Sequence, residues 1–242
     1  EEQRRRSRGD KDGGAALVME AAQTDALEKK GIAATNDLNK YEWDAATGTG
    51  SDYTATVKAI YTTGKTFVEE ASAVGDDEEA VDVGIVLDQT SFYAEAGGQI
   101  YDSGVLRIGE DGTESTKVDV LDCKRFGAYV LHIGPVVKGT VKVGDTVTLS
   151  VNYNRRAEAA KNHTSTHMLN YAIMKALGKA CDQRGSLCDA DKLRFDFAYG
   201  KPLEKAELAK TQEAVNAQID AALAVHTQVS PLEASKAVNG LR

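Results

Sequence analysis

Residues 129–151 read YVLHIGPVVKGTVKVGDTVTLSV and carry the fold signal of the central part of the chain. Two runs rich in β-branched residues, 129–133 and 147–151, are separated by turn signals that include Gly134-Pro135 and Gly144-Asp145. The same alternation of short run and turn recurs upstream, so we predict strands at 55–61, 81–87, 105–108, 118–121, 129–133 and 147–151. Many short strands at even spacing are typical of a small β-barrel, here within residues 51–151.

Helical periodicity replaces this pattern after residue 151. A helix is predicted over 155–177, ending at Gly178, with an apolar stripe at Leu169, Ala172, Ile173 and Ala176. A second helix is predicted after Pro202, with a buried stripe of Leu208, Val215, Ile219, Ala222 and Leu223. Further strands are predicted at 193–199 and 227–229, and residues 1–50 are predicted to form a broken helical lead-in. The predicted fold class is α+β, a small β-barrel followed by an α/β domain over 152–242.

Composition indicates a globular protein without a membrane partner. Of the 242 residues, 42% are hydrophobic and 27% charged, and no apolar run approaches the roughly 20 residues that a membrane helix needs. The net charge of −8 repels phosphate backbones, so we expect any RNA contact to be local. Three cysteines without C-x-x-C spacing favour free thiols in a reducing compartment, which predicts a cytoplasmic protein or, as an alternative, a mitochondrial one. Because the chain begins at Glu1 rather than Met, we expect a piece of a longer protein.

Two histidines stand one helical turn apart in the segment NHTSTH, residues 162–167. On a helix His163 and His167 lie about 40° apart around the axis and about 6 Å apart along it, so both rings can reach one metal ion. Thr166 and Asn170 share this polar face. Two ligands do not complete a zinc site, which takes four protein ligands or three and a water. The histidines therefore predict either half of a metal site or a solvated polar face.

Three further segments hold candidate site residues. The run FYAEAGGQ, residues 92–99, ends in Gly97, Gly98 and Gln99, where the glycines let the backbone approach a ligand, although such a run is more often a turn between strands. The run QRGSL, residues 183–187, favours a polar loop, with Gln183 over a pocket as the alternative. In LRFDF, residues 193–197, alternation places Arg194 and Asp196 on one face, to bind a phosphate or to pair with each other.

Together these four segments, in this order, resemble alanyl-tRNA synthetases and their freestanding editing relatives. The resemblance extends to the segment EQRR with SR at residues 2–8, and to PLE at 231–233 with GLR at 240–242. It implies a small β-barrel joined to an α/β domain like the editing domain of threonyl-tRNA synthetases. It also implies the acceptor end of tRNA(Ala) and the rest of a synthetase chain as partners.

The resemblance also implies roles for individual residues. His163 and His167 would bind zinc with a later cysteine and histidine that lie beyond Arg242, so two of four ligands are present. Thr166 and Gln183 would line the pocket as catalytic residues, with the turn of Gly97, Gly98 and Gln99 and the guanidinium of Arg194 contacting the substrate. The implied reaction is hydrolysis of Ser-tRNA(Ala) and Gly-tRNA(Ala), which removes products that a first site does not reject. ATP would serve only an aminoacylation domain, for which no motif is present.

Several alternatives remain open from the sequence. The chain alone is expected to bind zinc weakly and to edit poorly, because half the ligands are missing, and Cys181 or Cys188 is a less favoured substitute ligand. His132 and His226 are predicted to be structural. The chain could instead be a tRNA acceptor-arm binding module without catalysis, or an unrelated metallohydrolase acting on another small ester.

Overall fold

The computed structural model describes residues 17–75, 80–178, 181–225, 228 and 230–238. The helices of these residues are α1 (Ala21–Lys29), α2 (Tyr153–Leu177), α3 (Lys205–Ala221) and α4 (Leu232–Lys236), with a 3-10 turn at Leu38–Tyr41. The strands are β1 (Trp43–Asp44), β2 (Thr49–Gly50), β3 (Tyr53–Thr62), β4 (Phe67–Val68), β5 (Glu70–Ser72), β6 (Asp82–Leu87), β7 (Gly104–Ile108), β8 (Thr116–Val120), β9 (Asp122–Phe126), β10 (Tyr129–Lys138), β11 (Thr140–Lys142), β12 (Thr146–Val151), β13 (Gln183–Cys188) and β14 (Leu193–Phe197).

Six antiparallel strands close into a barrel in the order β12, β7, β8, β10, β6, β3, and β3 pairs back onto β12. At the closing seam Thr146 lies opposite Thr56, and Leu149 lies opposite Tyr53. The barrel strands contain the six runs predicted from the sequence. The α+β fold class with a small β-barrel is confirmed. Six further strands were not predicted, namely β1 and β2, which pair with each other, β4 on β3, β9 on β10, and β5 and β11, which pair with each other.

Alternating side chains of the barrel strands build two apolar cores. The larger core gathers residues such as Val57, Ile85 and Leu106, all fully buried. On β6 and β10, successive residues such as Ile85 and Val86 point to opposite sides, as expected of a strand. The residues on the outer side of β3, β6 and β10 form a second core with residues of the N-terminal segment, which comprises Leu17, Met19, Leu27, Tyr61, Val86, Leu131 and others. The helix α1 is thereby packed on the outside of the barrel.

The chain divides into two compact units. The first comprises the described residues up to Thr166 together with Arg184–Asp196, and the second comprises His167–Gln183 and the described residues from Phe197 onward. The first unit contains the barrel, the first half of α2 and most of the β13–β14 hairpin. The predicted domain boundary near residue 151 stays a prediction.

The predicted helix over 155–177 is α2, and the predicted strand from 193 is β14. The reading of 183–187 as a loop is wrong, because these residues form β13, which pairs with β14. The predicted buried stripe of the second helix is also wrong. In α3 no described residue is buried, and Leu208 and Ile219 are 50% and 58% exposed. Periodicity identifies the apolar face of a helix, but it does not show that another element covers that face.

Some predictions fall on residues outside the described ranges. These are the resemblance of the segments at residues 2–8 and 240–242, the strand at 227–229, and the structural role of His226.

Candidate functional site

The first half of α2 meets the turn that ends the FYAEAGGQ segment. The side chain of Gln99 reaches His163, with 2.9 Å between its Oε1 and the ring Nδ1. Because a carbonyl oxygen only accepts hydrogen bonds, Nδ1 carries the proton and donates it. In the neutral ring this hydrogen bond fixes the tautomer in which Nε2 has the lone pair.

The two glycines of this turn are required by its conformation and by a neighbouring strand. Gly97 and Gly98 have φ angles of +60° and +84°, a region that residues with side chains rarely adopt. A Cβ on Gly98 would lie 2.3 Å from Ser186 Oγ and 2.9 Å from Ser186 O, and one on Gly97 would lie 3.7 Å from His163 Cε1. The backbone therefore passes close to both β13 and α2, and the contact of this turn with a ligand stays a prediction.

Backbone hydrogen bonds join the turn to β13. Cys188 N donates to Gly98 O at 2.7 Å, and Ile100 N donates to Cys188 O at 3.1 Å. Within the turn itself, Ala96 and Gln99 exchange two backbone hydrogen bonds of 3.2 and 3.0 Å. The turn thus forms one parallel β-bridge, between Gln99 and Cys188, at the edge of β13.

Thr166 is a buried residue of α2 that faces β13. Its Oγ1 donates to Asn162 O at 3.0 Å and lies 3.2 Å from Cys188 Sγ. The hydroxyl of Thr166 has one hydrogen, which it donates to Asn162 O. The thiol of Cys188 is therefore the donor in the second contact. The polar face predicted for α2 is therefore covered at Thr166, because β13 packs against it.

Tyr93 stiffens the approach to the turn. Its hydroxyl donates to Ala96 O at 3.0 Å. Burial, with a smaller contribution from Tyr41, raises the pKa of Tyr93 to about 12. The phenol therefore remains protonated near neutral pH and remains a donor.

The predicted site residues fall into two groups. Gly97, Gly98, Gln99, His163 and Thr166 come together in the first compact unit. His167 and Gln183 belong to the second unit, where both are exposed.

Arg194 is exposed on β14 and pairs with Asp196, with 3.2 Å between Nε and Oδ2. This pairing is one of the two arrangements that the alternating sequence allowed.

Two residues of β13 join the site although the sequence did not place them there. Cys188 is fully buried against Thr166, and Ser186 faces Gly98. Sequence reasoning treated Cys188 as a core or surface thiol, because the strand β13 was not recognised. The signal that was available is the alternation of Ser186 and Cys188, which places both on one face of a strand.

The residues that the structure describes do not make a complete zinc site. Zinc takes at least three protein ligands. Within the described ranges no three or more side chains of His, Cys, Asp and Glu are grouped to hold a metal ion. The thiol of Cys188 contacts Thr166. The assignment of His163 and His167 as metal ligands stays a prediction.

His132 is a buried structural histidine, as the sequence predicted. Its Nε2 lies 2.7 Å from Thr90 Oγ1 and its Nδ1 lies 2.9 Å from Ile85 O. Thr90 Oγ1 in turn accepts a hydrogen bond from Phe92 N at 3.0 Å. His132 thereby ties β10 and β6 to the start of the FYAEAGGQ segment.

Comparison with known proteins identifies the class. The family of class II tRNA synthetases (A) matches residues 1–155. The chain belongs to this family.

Most of the chain is also similar to alanine–tRNA ligases. Identity is 42% over 228 residues to the cytoplasmic alanine–tRNA ligase of Dictyostelium discoideum, covering 93% of this chain and 22% of that protein. It is 33% over 234 residues to the mitochondrial ligase of Saccharomyces cerevisiae (97% and 22%), and 43% over 181 residues to the ligase of Leptothrix cholodnii (74% and 19%). The resemblance to alanyl-tRNA synthetases is thereby confirmed. The chain spans about a fifth of the length of these relatives.

None of the helices in the described part of the chain has the length and apolar character needed to span a membrane.

Proposed function

We propose that this chain is the editing region of an alanine–tRNA ligase and that it contributes to hydrolysis of Ser-tRNA(Ala) and Gly-tRNA(Ala). The supporting observation is the contact between Gln99 and His163, because it joins two of the four ordered segments in one place. The Gly97–Gly98 turn passes beside His163, and Thr166 on the same helix contacts Cys188 of β13. The relatives named alanine–tRNA ligases supply the substrate class.

The proposed reaction is attack of water on the ester carbonyl, after which the 3'-terminal ribose leaves with a proton. Gln99 holds His163 in one tautomer and one ring orientation, which positions the ring toward the reacting groups. A reacting group held within a fraction of an ångström of its productive position reacts far faster than a loosely held one. Gly97 and Gly98 let the backbone approach the substrate without a side chain in the way.

Thr166 is proposed to discriminate against alanine by crowding. The notion that its hydroxyl binds the substrate is disfavoured, because that hydroxyl already donates to Asn162 O and contacts the Cys188 thiol. Gln183 is proposed to orient the reacting groups, and Arg194 to contact the acceptor end of tRNA(Ala). With a net charge of −8, this RNA contact is expected to depend on local cations.

The remaining partners and cofactors are proposals drawn from the relatives. The rest of a synthetase chain would carry aminoacylation with ATP, and zinc would need ligands in addition to His163 and His167. The relatives include cytoplasmic and mitochondrial ligases, so both locations are proposed. Because the described residues lack a third ligand, the chain alone is expected to hydrolyse these esters weakly.

The test is therefore made in a protein of the relatives' full length that carries this sequence at the matching position. Hydrolysis of Ser-tRNA(Ala) and Gly-tRNA(Ala) well above the spontaneous rate, with Ala-tRNA(Ala) spared, is expected. Replacing Gln99 by Leu should slow hydrolysis, while aminoacylation of tRNA(Ala) serves as the internal control. Binding of tRNA(Ala) without any acceleration would support the binding-module alternative, and preference for a small ester with which tRNA does not compete would support the metallohydrolase.

Thr166 provides a second test of the same proposal. A Thr166→Gly variant should begin to deacylate correctly charged Ala-tRNA(Ala), because the crowding group is removed. A Thr166→Ser variant keeps the hydroxyl and loses only a methyl group, and serves as the matched control. Unchanged discrimination in the Gly variant would remove Thr166 from this role.

A further inference from the structure

A buried ion pair ties the FYAEAGGQ segment to the first turn of α2. Arg156 is 2% exposed, and its Nε donates to Asp102 Oδ2 at 2.9 Å. Its Nη2 donates to the same carboxylate oxygen and, at 2.5 Å, to Ser91 O. Its Nη1 donates to Lys40 O at 3.1 Å. One guanidinium therefore holds both ends of the segment from Ser91 to Asp102.

The two ends of that segment are also joined to each other. Tyr93 N donates to Asp102 Oδ2 at 2.7 Å, and Asp102 N donates to Tyr93 O at 2.9 Å. From this stem the chain runs out to the Ala96–Gln99 turn and returns. The stem is held at Arg156, and the tip of the loop reaches His163 through Gln99.

Helix geometry explains why one loop meets both residues. Arg156 and His163 stand at i and i+7, which places them about 20° apart around the axis and about 10.5 Å apart along it. They therefore share one face of α2. When the stem of the loop is fixed at Arg156, the tip of the loop lies against His163. If the stem shifts along the helix, Gln99 moves away from the His163 ring.

The ion pair is better suited to fixing register than to adding stability. A buried ion pair is often replaceable by apolar groups without loss of stability, and its best-attested role is to specify one arrangement. Arg156 also lies beside two stacked aromatic rings, with its guanidinium carbon 4.9 Å from the centre of the Tyr153 ring and 5.6 Å from that of Trp43. A planar fork with five donors makes these contacts together, and a lysine does not.

We propose that Arg156 and Asp102 are positioning residues that set the register of the Gly97–Gln99 turn on α2 and so hold Gln99 against His163. The proposal deepens the proposed function, because it names what assembles that site. Neither residue contacts the substrate in this scheme. Its structural part, the Gln99–His163 hydrogen bond, is measurable without any activity.

The test compares the parent chain with an Arg156→Met/Asp102→Asn double variant. This pair removes both charges and leaves an oxygen at residue 102 to accept from Tyr93 N. The first readout is the ¹⁵N and ¹H signal of the His163 ring, where a hydrogen-bonded Nδ1–H exchanges slowly with water. We expect that signal to be lost in the double variant while circular dichroism and the melting temperature remain close to the parent values.

The second readout is the kinetics of Ser-tRNA(Ala) deacylation in the full-length protein. A misplaced reacting geometry is expected to lower kcat by about 10- to 100-fold with a much smaller change in KM. Arg107→Met is the matched control, since it also removes an arginine that pairs with an aspartate. Arg107 lies on β7 and contacts Asp52 and Ser150 rather than the Ser91–Asp102 segment. This variant should leave both readouts unchanged.

A double variant that retains the His163 signal and kcat overturns the proposal. If the double variant does not fold, Arg156→Lys takes its place, because it keeps the charge beside Asp102 without the fork. Loss of the signal is expected there too, and its retention overturns the proposal. A parent protein that shows the protected Nδ1–H but hydrolyses no ester refutes the proposed function and leaves the positioning role supported.

Discussion

The barrel and the helix α3 bury their apolar residues to opposite degrees. In the barrel, residues such as Ile85, Leu87 and Leu106 are inaccessible to water. In α3 every described residue is at least partly exposed, although a capping box of Glu204 and Glu207 begins the helix. Local signals thus form both elements, but the barrel strands pack around a common core, and β3, β6 and β10 also contribute to the core shared with the N-terminal segment.

This difference separates local helix formation from tertiary stabilisation. Burial of apolar area contributes roughly 25 cal/mol per Å², so the buried residues of the barrel strands gain far more than a helix whose residues are all at least partly exposed. We therefore expect the first compact unit to contain most of the folding free energy. The candidate site belongs largely to that unit, which gives its turn a rigid support.

The largest expected effect comes from the core of the barrel. A Leu106→Ala substitution should lower the free energy of unfolding by about 2–5 kcal/mol, because it leaves a cavity between packed strands. Ile219→Ala on α3 should change it by less than about 0.5 kcal/mol, since the side chain is largely exposed. Urea denaturation of both variants measures the difference. Equal losses would show that α3 is packed in solution and would break the comparison.

A pH-dependent effect is expected at His132. Burial lowers its pKa from 6.5 to about 4, with the hydrogen bond to Ile85 O opposing the shift. The unfolded chain therefore takes up a proton first as pH falls. The contribution of the neutral His132 to the free energy of unfolding is fully present above pH 6.5. It is lost as pH falls toward 4, by about 3 kcal/mol in all.

Denaturant titrations from pH 7.5 to 4.5 measure this dependence. The His132→Gln variant keeps hydrogen-bonding groups without a titrating ring, so its stability should fall less steeply over the same range. Parallel curves for the two proteins would contradict the assignment.

A smaller effect is expected at the turn of the candidate site. Gly98→Ala combines a positive φ with a Cβ 2.3 Å from Ser186 Oγ, and should lower stability by about 1–3 kcal/mol. Gly112→Ala is a matched control, because Gly112 has a φ of +81° and no atom within 4 Å of the added Cβ. Chemical denaturation of both variants isolates the collision with β13. Equal destabilisation would show that φ alone matters.

The smallest effect on stability is expected at Arg194. Its pairing with Asp196 is exposed, and exposed pairs contribute little. An Arg194→Gln variant should unfold at the parent denaturant concentration, yet raise KM for Ser-tRNA(Ala) if the guanidinium contacts the acceptor end as proposed. An unchanged KM would leave Arg194 with the structural pairing alone.

Much of the first unit was predictable from the sequence. The six barrel strands and α2 follow from period-two alternation and helical periodicity, because these patterns depend on neighbouring residues. The short strands β1, β2, β4, β5, β9 and β11 were not predicted, since few residues carry their pattern. β13 was mistaken for a loop because its sequence QRGSLC is polar, and its pairing with β14 stabilises it as a strand.

The candidate site was predicted in membership more than in arrangement. The segments that contribute Gly97, Gln99, His163 and Thr166 were identified as a set. That Thr166 is covered by Cys188 was not predicted, because the two residues meet only when β13 packs on α2.

By itself the sequence determined the positions of the six barrel strands, the course of α2 and the order of the family's segments. These properties are encoded locally, in alternation, caps and motifs. Only the tertiary structure decided which distant side chains meet, as in the contacts of Gln99 with His163 and of Arg156 with Asp102. Such contacts join residues far apart in the chain. They form because barrel closure and helix packing bring the residues together, and neither event can be read from one segment.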